Sequence, residues 1–248
     1  MKRIITPGID LITPLAGSSA WYWGTDETGG DLYAAQMLFQ NGGPQRRTRL
    51  ILIHYPDGTV FEPIPTEEGQ YLGQPVYQDG RIFLLLADFP REELRISSFD
   101  AETRRTALVT TLPLASAGDC RNLELSRSPL MLTRYTDEVF QILWPERREF
   151  PKNPRESFLF REGERLYFWA WDKSALDLSA HPEEDCIDTI LVRDWNTGET
   201  LEEVRGLTYL MPNGEYWALV QTDGNTGCPP GEDSGNSHTV DKDRRSGP

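Results

Sequence analysis

Runs of alternating or continuous apolar residues, each four to eight long and bounded by Gly, Pro, Asn or Asp, recur along the chain from Trp21 to Val220. The pattern is that of short strands joined by tight turns. One set of turns lies between strand pairs such as QPVY and RIFLLLADF, SFLF and RLYFWAWD, and LTYLM and EYWALV. Within this set, Asp79-Gly80 and Asn213-Gly214 carry the residues that tolerate the positive φ of a hairpin turn. The pair AWYW and DLYAAQMLF reads the same way, with its turn over Thr25 to Asp31. A second set of turns sits at Pro56-Asp57-Gly58, Asp100 to Thr103, Pro145 to Arg148 and Asp194 to Gly198. Here the Asp side chains are placed to accept a backbone N–H two residues on, and Gly198 to take a left-handed position.

With Asp57, Ala101, Glu146 and Asn196 as markers, the second set repeats after 44, 45 and 50 residues. That period matches a four-stranded propeller blade of roughly 40 to 50 residues. Five turns of the first set against four of the second leave one unit short of an outer strand pair. The segment from Arg3 to Leu15, with its Pro7-Gly8 turn, reads as the missing hairpin. Paired beside Leu207 to Val220, it would close the ring and hide both sheet edges. The expected fold is therefore all-β, a five-bladed β-propeller closed by an N-terminal hairpin and followed by a flexible C-terminal tail. A β-sandwich with a separate hairpin domain is the competing architecture. The motif D-G-x-I-F at Asp79 to Phe83, followed by D-x-x-T at Asp100 to Thr103, resembles the blades of many bacterial β-propellers. That resemblance implies a fold and no site residues.

Composition adjusts this picture in three ways. The propeller domain should span residues 1–221, because from Thr222 to Pro248 the only aliphatic side chain is Val240 and no aromatic occurs. Such a stretch cannot offset its ordering entropy, so 222–248 reads as a disordered tail. The net charge of −14 opposes binding to nucleic acid or anionic membranes and favours cationic or neutral partners. Three cysteines, Cys120, Cys186 and Cys228, are odd in number and far apart, as expected of free thiols in the cytoplasm. Pro7, Gly8, Asp10 and Pro14 interrupt the only segment resembling a secretory signal.

Chemistry should gather where the connections are long and unlike one another, on the face opposite both sets of tight turns. There the candidates for binding are Asp88, Arg91, Arg121, Arg134, Asp137, Arg155, Trp171 and Asp172. Arginines suit anionic groups, and Trp171 at a strand end suits a sugar face or an apolar side chain. The other tryptophans read as wedges between sheets, with Trp195 as surface packing. The acidic excursion after Trp171 reads most simply as a solvated loop. Asp177, His181, Glu183 and Asp185 are its candidate metal ligands, with Ca²⁺ the fitting ion and no cofactor otherwise expected. His54, between Ile53 and Tyr55, reads as a strand residue with a satisfied ring. Glu124 is the one acid on the innermost strands, so the carboxylate pair of a glycosidase is poorly supplied. The reading that results is a non-catalytic scaffold binding a protein, a small molecule or a carbohydrate. A glycoside hydrolase-like propeller enzyme is the alternative.

Overall fold

The computed structural model describes residues 1–6, 8–26, 28–42, 47–172 and 187–220. Four antiparallel sheets follow one another along the chain. The first contains β1 (Thr13–Pro14), β2 (Trp21–Thr25), β3 (Leu50–His54) and β4 (Thr59–Phe61) in that order. The second has its innermost strand broken into β5 (Gln70–Leu72) and β6 (Val76–Gln78), both pairing with β7 (Arg81–Asp88). Its outer strands are β8 (Glu93–Asp100) and β9 (Arg105–Pro113). The third comprises β10 (Glu124–Ser126), β11 (Met131–Tyr135), β12 (Val139–Trp144) and β13 (Arg148–Pro151). The fourth comprises β14 (Glu156–Glu162), β15 (Arg165–Asp172), β16 (Ile187–Asp194) and β17 (Thr200–Leu210), and β17 runs on into a hairpin with β18 (Tyr216–Val220).

The outer hairpins form as their sequences require. Asp100 accepts from the backbone N–H groups of Glu102 and Thr103, Asp194 from those of Asn196 and Thr197, and Asp57 from that of Thr59. Asp79 and Gly80 both take positive φ, at 51° and 76°, between β6 and β7. His54 is a satisfied strand residue, with its Nδ1 3.0 Å from Asp57 and its ring against Trp21.

Cores lie between successive sheets. Trp21, Leu50 and Leu52 meet Leu72, Ile82 and Leu84 between the first and second sheets. Leu85, Leu94 and Ile96 meet Leu123, Leu125 and Leu132 between the second and third. Phe140, Phe150 and Met131 meet Phe168, Leu191 and Trp195 between the third and fourth. Trp195 is therefore a core residue, not surface packing. The guanidinium of Arg161 lies 3.5 Å from its ring centre and that of Arg148 4.5 Å away.

Three expectations are corrected. DLYAAQMLF is not a strand: residues Leu32–Gln40 form helix α1, inserted between β2 and β3. Its buried Leu32, Ala35 and Gln36 follow a helical period, and Asp31 caps it by accepting from the N–H groups of Tyr33 and Ala34 at 2.9 and 3.1 Å. Asp31→Ala should cost about 1 kcal/mol, read as a lower denaturant midpoint at unchanged slope.

With DLYAAQMLF removed, the first sheet takes its inner strand from Thr13–Pro14, and no free N-terminal hairpin is left to close a ring. Instead Ile9 packs on Ile51 and Ile53, on the opposite face of the first sheet, and Lys2 reaches the carbonyl of Pro56. Among the described residues the complete sheets therefore number four, not five. The expected fifth unit is represented by the hairpin Gly206–Leu210 with Tyr216–Val220 alone. Gly206 makes the junction at φ 153°, where a Cβ would fall 2.2 Å from the carbonyl oxygen of Leu219. Tyr216 stacks on Phe160 of the fourth sheet, while Tyr209, Trp217 and Leu219 stand about half exposed. The proposed tail lies outside the described residues. No helix among the described residues is long and apolar enough to cross a membrane.

Candidate functional site

The connections β2–β3, β4–β5, β9–β10 and β13–β14 and the tight turns β7–β8 and β11–β12 bring the candidate residues into three groups, one for each of the last three sheets. In the second sheet Asp88, at the end of β7, is fully buried. Its Oδ2 accepts from Gln70 Nε2 at 2.7 Å and Arg91 Nη1 at 2.8 Å, its Oδ1 from the Arg91 N–H, and Arg95 lies 3.1 Å away. Burial pushes the carboxyl up, but the bonds from Arg91, Gln70 and the Arg91 N–H outweigh it and leave it below the usual range. Arg91 also reaches Glu67 at 3.3 Å. Asp88 and Arg91 thus clamp the β7–β8 turn onto β5.

In the group of the third sheet α1 packs against the β9–β10 connection. Gln36 accepts the N–H of Cys120, and Arg121 stacks over Tyr33 at 5.0 Å while donating to its hydroxyl. Arg134 donates to Asp119 at 2.7 Å and to Gln141 at 3.0 Å. Asp137 is exposed on the β11–β12 turn. Burial, reinforced by the charge of Asp119, pushes the Cys120 thiol up to about 12, so it is an inert core residue. Beneath α1 a cavity of about 230 Å³ is lined by Leu32, Gln74, Leu85, Glu124, Leu125 and Tyr135, among others.

In the group of the fourth sheet Arg155 lies 5.3 Å over the ring of Trp171, at the rim of a groove of about 580 Å³ whose wall includes Asn153, Glu156, Thr189 and Glu203. Asp172 ends β15 beside it. Glu156 is buried and spoken for: Arg193 Nη2 donates to both of its oxygens at 2.8 and 2.9 Å, and Asn153 donates from its backbone and side chain. The candidate metal ligands Asp177, His181, Glu183 and Asp185 lie outside the described residues. Among the described residues no three His, Cys, Asp or Glu side chains gather into a metal-binding group.

The sequence reading assigned Arg121, Arg134, Arg155 and Trp171 to one face without pairing them; the structure sets Arg155 over Trp171 and brings Arg134 and the Arg121 N–H to Asp119. It placed Asp88 among ligand contacts, where the structure has a buried structural carboxylate. It missed Tyr33, Gln36 and Asp31, because their helix was read as a strand. It also missed Gln74 as the neighbour of Glu124, although both were assigned to innermost strands.

Four consecutive antiparallel sheets, with apolar cores packed between each and the next, make this a β-propeller-like protein. No family model matches the chain, and no curated protein matches it. Among solved structures it is similar to the dipeptidyl peptidase 4 of Porphyromonas gingivalis, with 8% identity over 84% of this chain and 33% of that one, at a TM-score of 0.40. It is also similar to a chain of a mitotic checkpoint complex, with 10% identity over 82% of this chain and 60% of that one, at a TM-score of 0.39.

Proposed function

We propose that this protein is a non-catalytic binding module that takes a polypeptide or small ligand on the face carrying α1 and the longer connections. The observation that carries the reading is the groove beside Arg155 and Trp171. It pairs an aromatic ring with a guanidinium, while of the two acids in its wall Glu156 is already neutralised by Arg193 and Glu203 is exposed on β17. Such a site offers shape, stacking and hydrogen bonds, with one available carboxylate in its lining instead of a pair. Asp88, the other buried acid of this face, is likewise held by arginines. A glycosidase needs two available carboxyl groups about 5 to 10 Å apart, and paired acids do not supply that chemistry.

A thermal-shift screen of oligosaccharides, phosphorylated metabolites and short peptides, run on the native protein and on Trp171→Ala, tests the reading. A ligand at a hundredfold excess over its Kd adds about 2.7 kcal/mol. At this chain length that amounts to a rise of roughly 5–10 °C in Tm. The rise should be lost in Trp171→Ala. Equal shifts in both proteins, or release of a free sugar from an oligosaccharide, would overturn the assignment.

A further inference from the structure

The cavity at the start of α1 is lined by two carboxylates, Asp31, which accepts from the first N–H groups of the helix, and Glu124, which differs from the other acids of this face. Asp88, Asp119 and Glu156 are each held by an arginine. Glu124, on the innermost strand β10, makes no hydrogen bond or ion pair through its side chain among the described residues. It stands between Leu123 and Leu125, which are buried in the core shared with the second sheet. Glu124 is exposed to solvent where it lines the cavity, yet the surrounding protein displaces enough water to raise its carboxyl above the usual range, with no charged group contributing. The ammonium of Lys152, which lies over Tyr135 of the cavity wall at 5.6 Å from the ring centre, donates to the carbonyl of Asn153. A carboxylate kept partly desolvated and without a counter-ion is a cost to the fold, and such costs concentrate at sites of use.

Size and lining define what would satisfy it. At about 230 Å³ the cavity falls below the roughly 300–1,000 Å³ of pockets for drug-sized ligands, so it suits a group the size of one side chain. Leu32, Leu85 and Leu125 supply an apolar wall, and Gln74, Asn122 and Tyr135 add neutral polar groups to the lining that holds Asp31 and Glu124. The chain's net charge of −14 raises the local concentration of cations.

We infer that this cavity recognises an ammonium group on a short alkyl chain, with Glu124 as its counter-ion and the leucines against its methylenes. The inference rests on the reading of this face as the binding face and names the charge of what it takes. Such a group arrives either as a free alkylamine or as a lysine side chain of a partner polypeptide.

The test uses n-butylammonium, its neutral counterpart n-butanol, and the blocked tripeptide Gly-Lys-Gly, each titrated into the full chain by ligand-observed NMR. Native protein should bind n-butylammonium saturably and at least tenfold more tightly than n-butanol. Glu124→Gln should lose at least tenfold in affinity while melting above the native protein at pH 7.5, because it removes an uncompensated charge. That opposite movement separates lost recognition from lost folding. Gln74→Ala, a change on another part of the wall, should also weaken binding, and serves if Glu124→Gln does not fold. Tighter binding of the tripeptide than of n-butylammonium assigns the ammonium to a polypeptide, and equal or weaker binding to a free amine. Undiminished binding in Glu124→Gln, or no saturable binding by native protein, overturns the inference. If that happens while a groove ligand still depends on Trp171, the ammonium site alone falls. Failure of both removes the face.

Discussion

Glu156→Ala lowers the unfolding free energy by about 3–5 kcal/mol, the usual consequence of deleting one partner of a buried ion pair. Glu156 and Arg193 are both almost wholly buried, at 3% and 8% side-chain exposure. Arg193 depends on this acid heavily. Its Nη2 donates twice to Glu156, its Nη1 donates to the carbonyl of Pro151, and its Nε is buried with no partner. Alanine would leave a guanidinium out of water with one remaining acceptor, and would also free the two Asn153 donors that hold the β13–β14 connection. For a chain of this length the loss corresponds to a fall of roughly 6–20 °C in Tm. Glu156→Gln should cost less, since an amide oxygen still accepts from Arg193. The double replacement Glu156→Leu with Arg193→Met should recover most of the loss, because the desolvation penalty leaves together with the attraction. Denaturant unfolding of the three variants measures this. A loss below about 1 kcal/mol for Glu156→Ala would mean that water screens the pair as it screens surface pairs. The groove's wall would then no longer count as preorganised.

What could be read from the residues divides by range of interaction. Asp57, Asp100 and Asp194 are bound by N–H groups two or three residues away, so their turns were visible in the sequence, and with them the period of the sheets. The same locality made Arg155 and Trp171 legible as occupants of one face, since each lies at the edge of a strand. The segment DLYAAQMLFQ failed because its apolar residues are nearly continuous, and continuous runs do not distinguish a buried strand from a helix. Its helical signals were the Asp31 cap and the Ala34-Ala35-Gln36-Met37 run of good helix formers. Reading it as a strand displaced the first unit by one strand. It turned Thr13–Pro14 from an innermost strand into part of a spare hairpin, and from that the fifth blade followed. The roles of Asp88 and Glu124 were beyond local reading for another reason. Asp88 is held by Gln70 from across the β5–β7 pairing and by Arg95 of β8 as well as by the adjacent Arg91, and Glu124 shares its cavity with residues of other sheets and of the β2–β3 connection.

Asp88→Asn should cost about 3 kcal/mol at neutral pH, a charge-assisted hydrogen bond being worth roughly 1.5–3 kcal/mol and more than one being lost. The substitution preserves shape but reverses the chemistry of one position. If the asparagine oxygen keeps the Arg91 N–H, its amide nitrogen faces Gln70 Nε2, Arg91 Nη1 and Arg95 Nη2, all donors. Gln70 cannot turn its oxygen to meet it without releasing the N–H of Glu67, which that oxygen accepts at 2.8 Å. The pH dependence identifies the cause. Burial acts to raise the Asp88 carboxyl, its hydrogen-bond donors act to lower it, and the net displacement is downward from 3.8. An acid depressed in the folded state contributes stability above its unfolded value. That contribution is lost as pH falls from about 4 through the folded value, where the folded protein must take up the proton. The gap between native protein and Asp88→Asn should therefore be constant from about pH 5 to pH 8 and close progressively below about pH 4. Asp57, held down to about 2 by the Thr59 N–H and His54, titrates in the same direction in both proteins and cancels from the difference. Urea unfolding of the pair at pH 7, 5, 4 and 3 measures the gap. A gap that persists undiminished at pH 3 would assign the loss to packing instead of charge, and the clamp of the β7–β8 turn would then rest on Gln70 and the apolar residues around it.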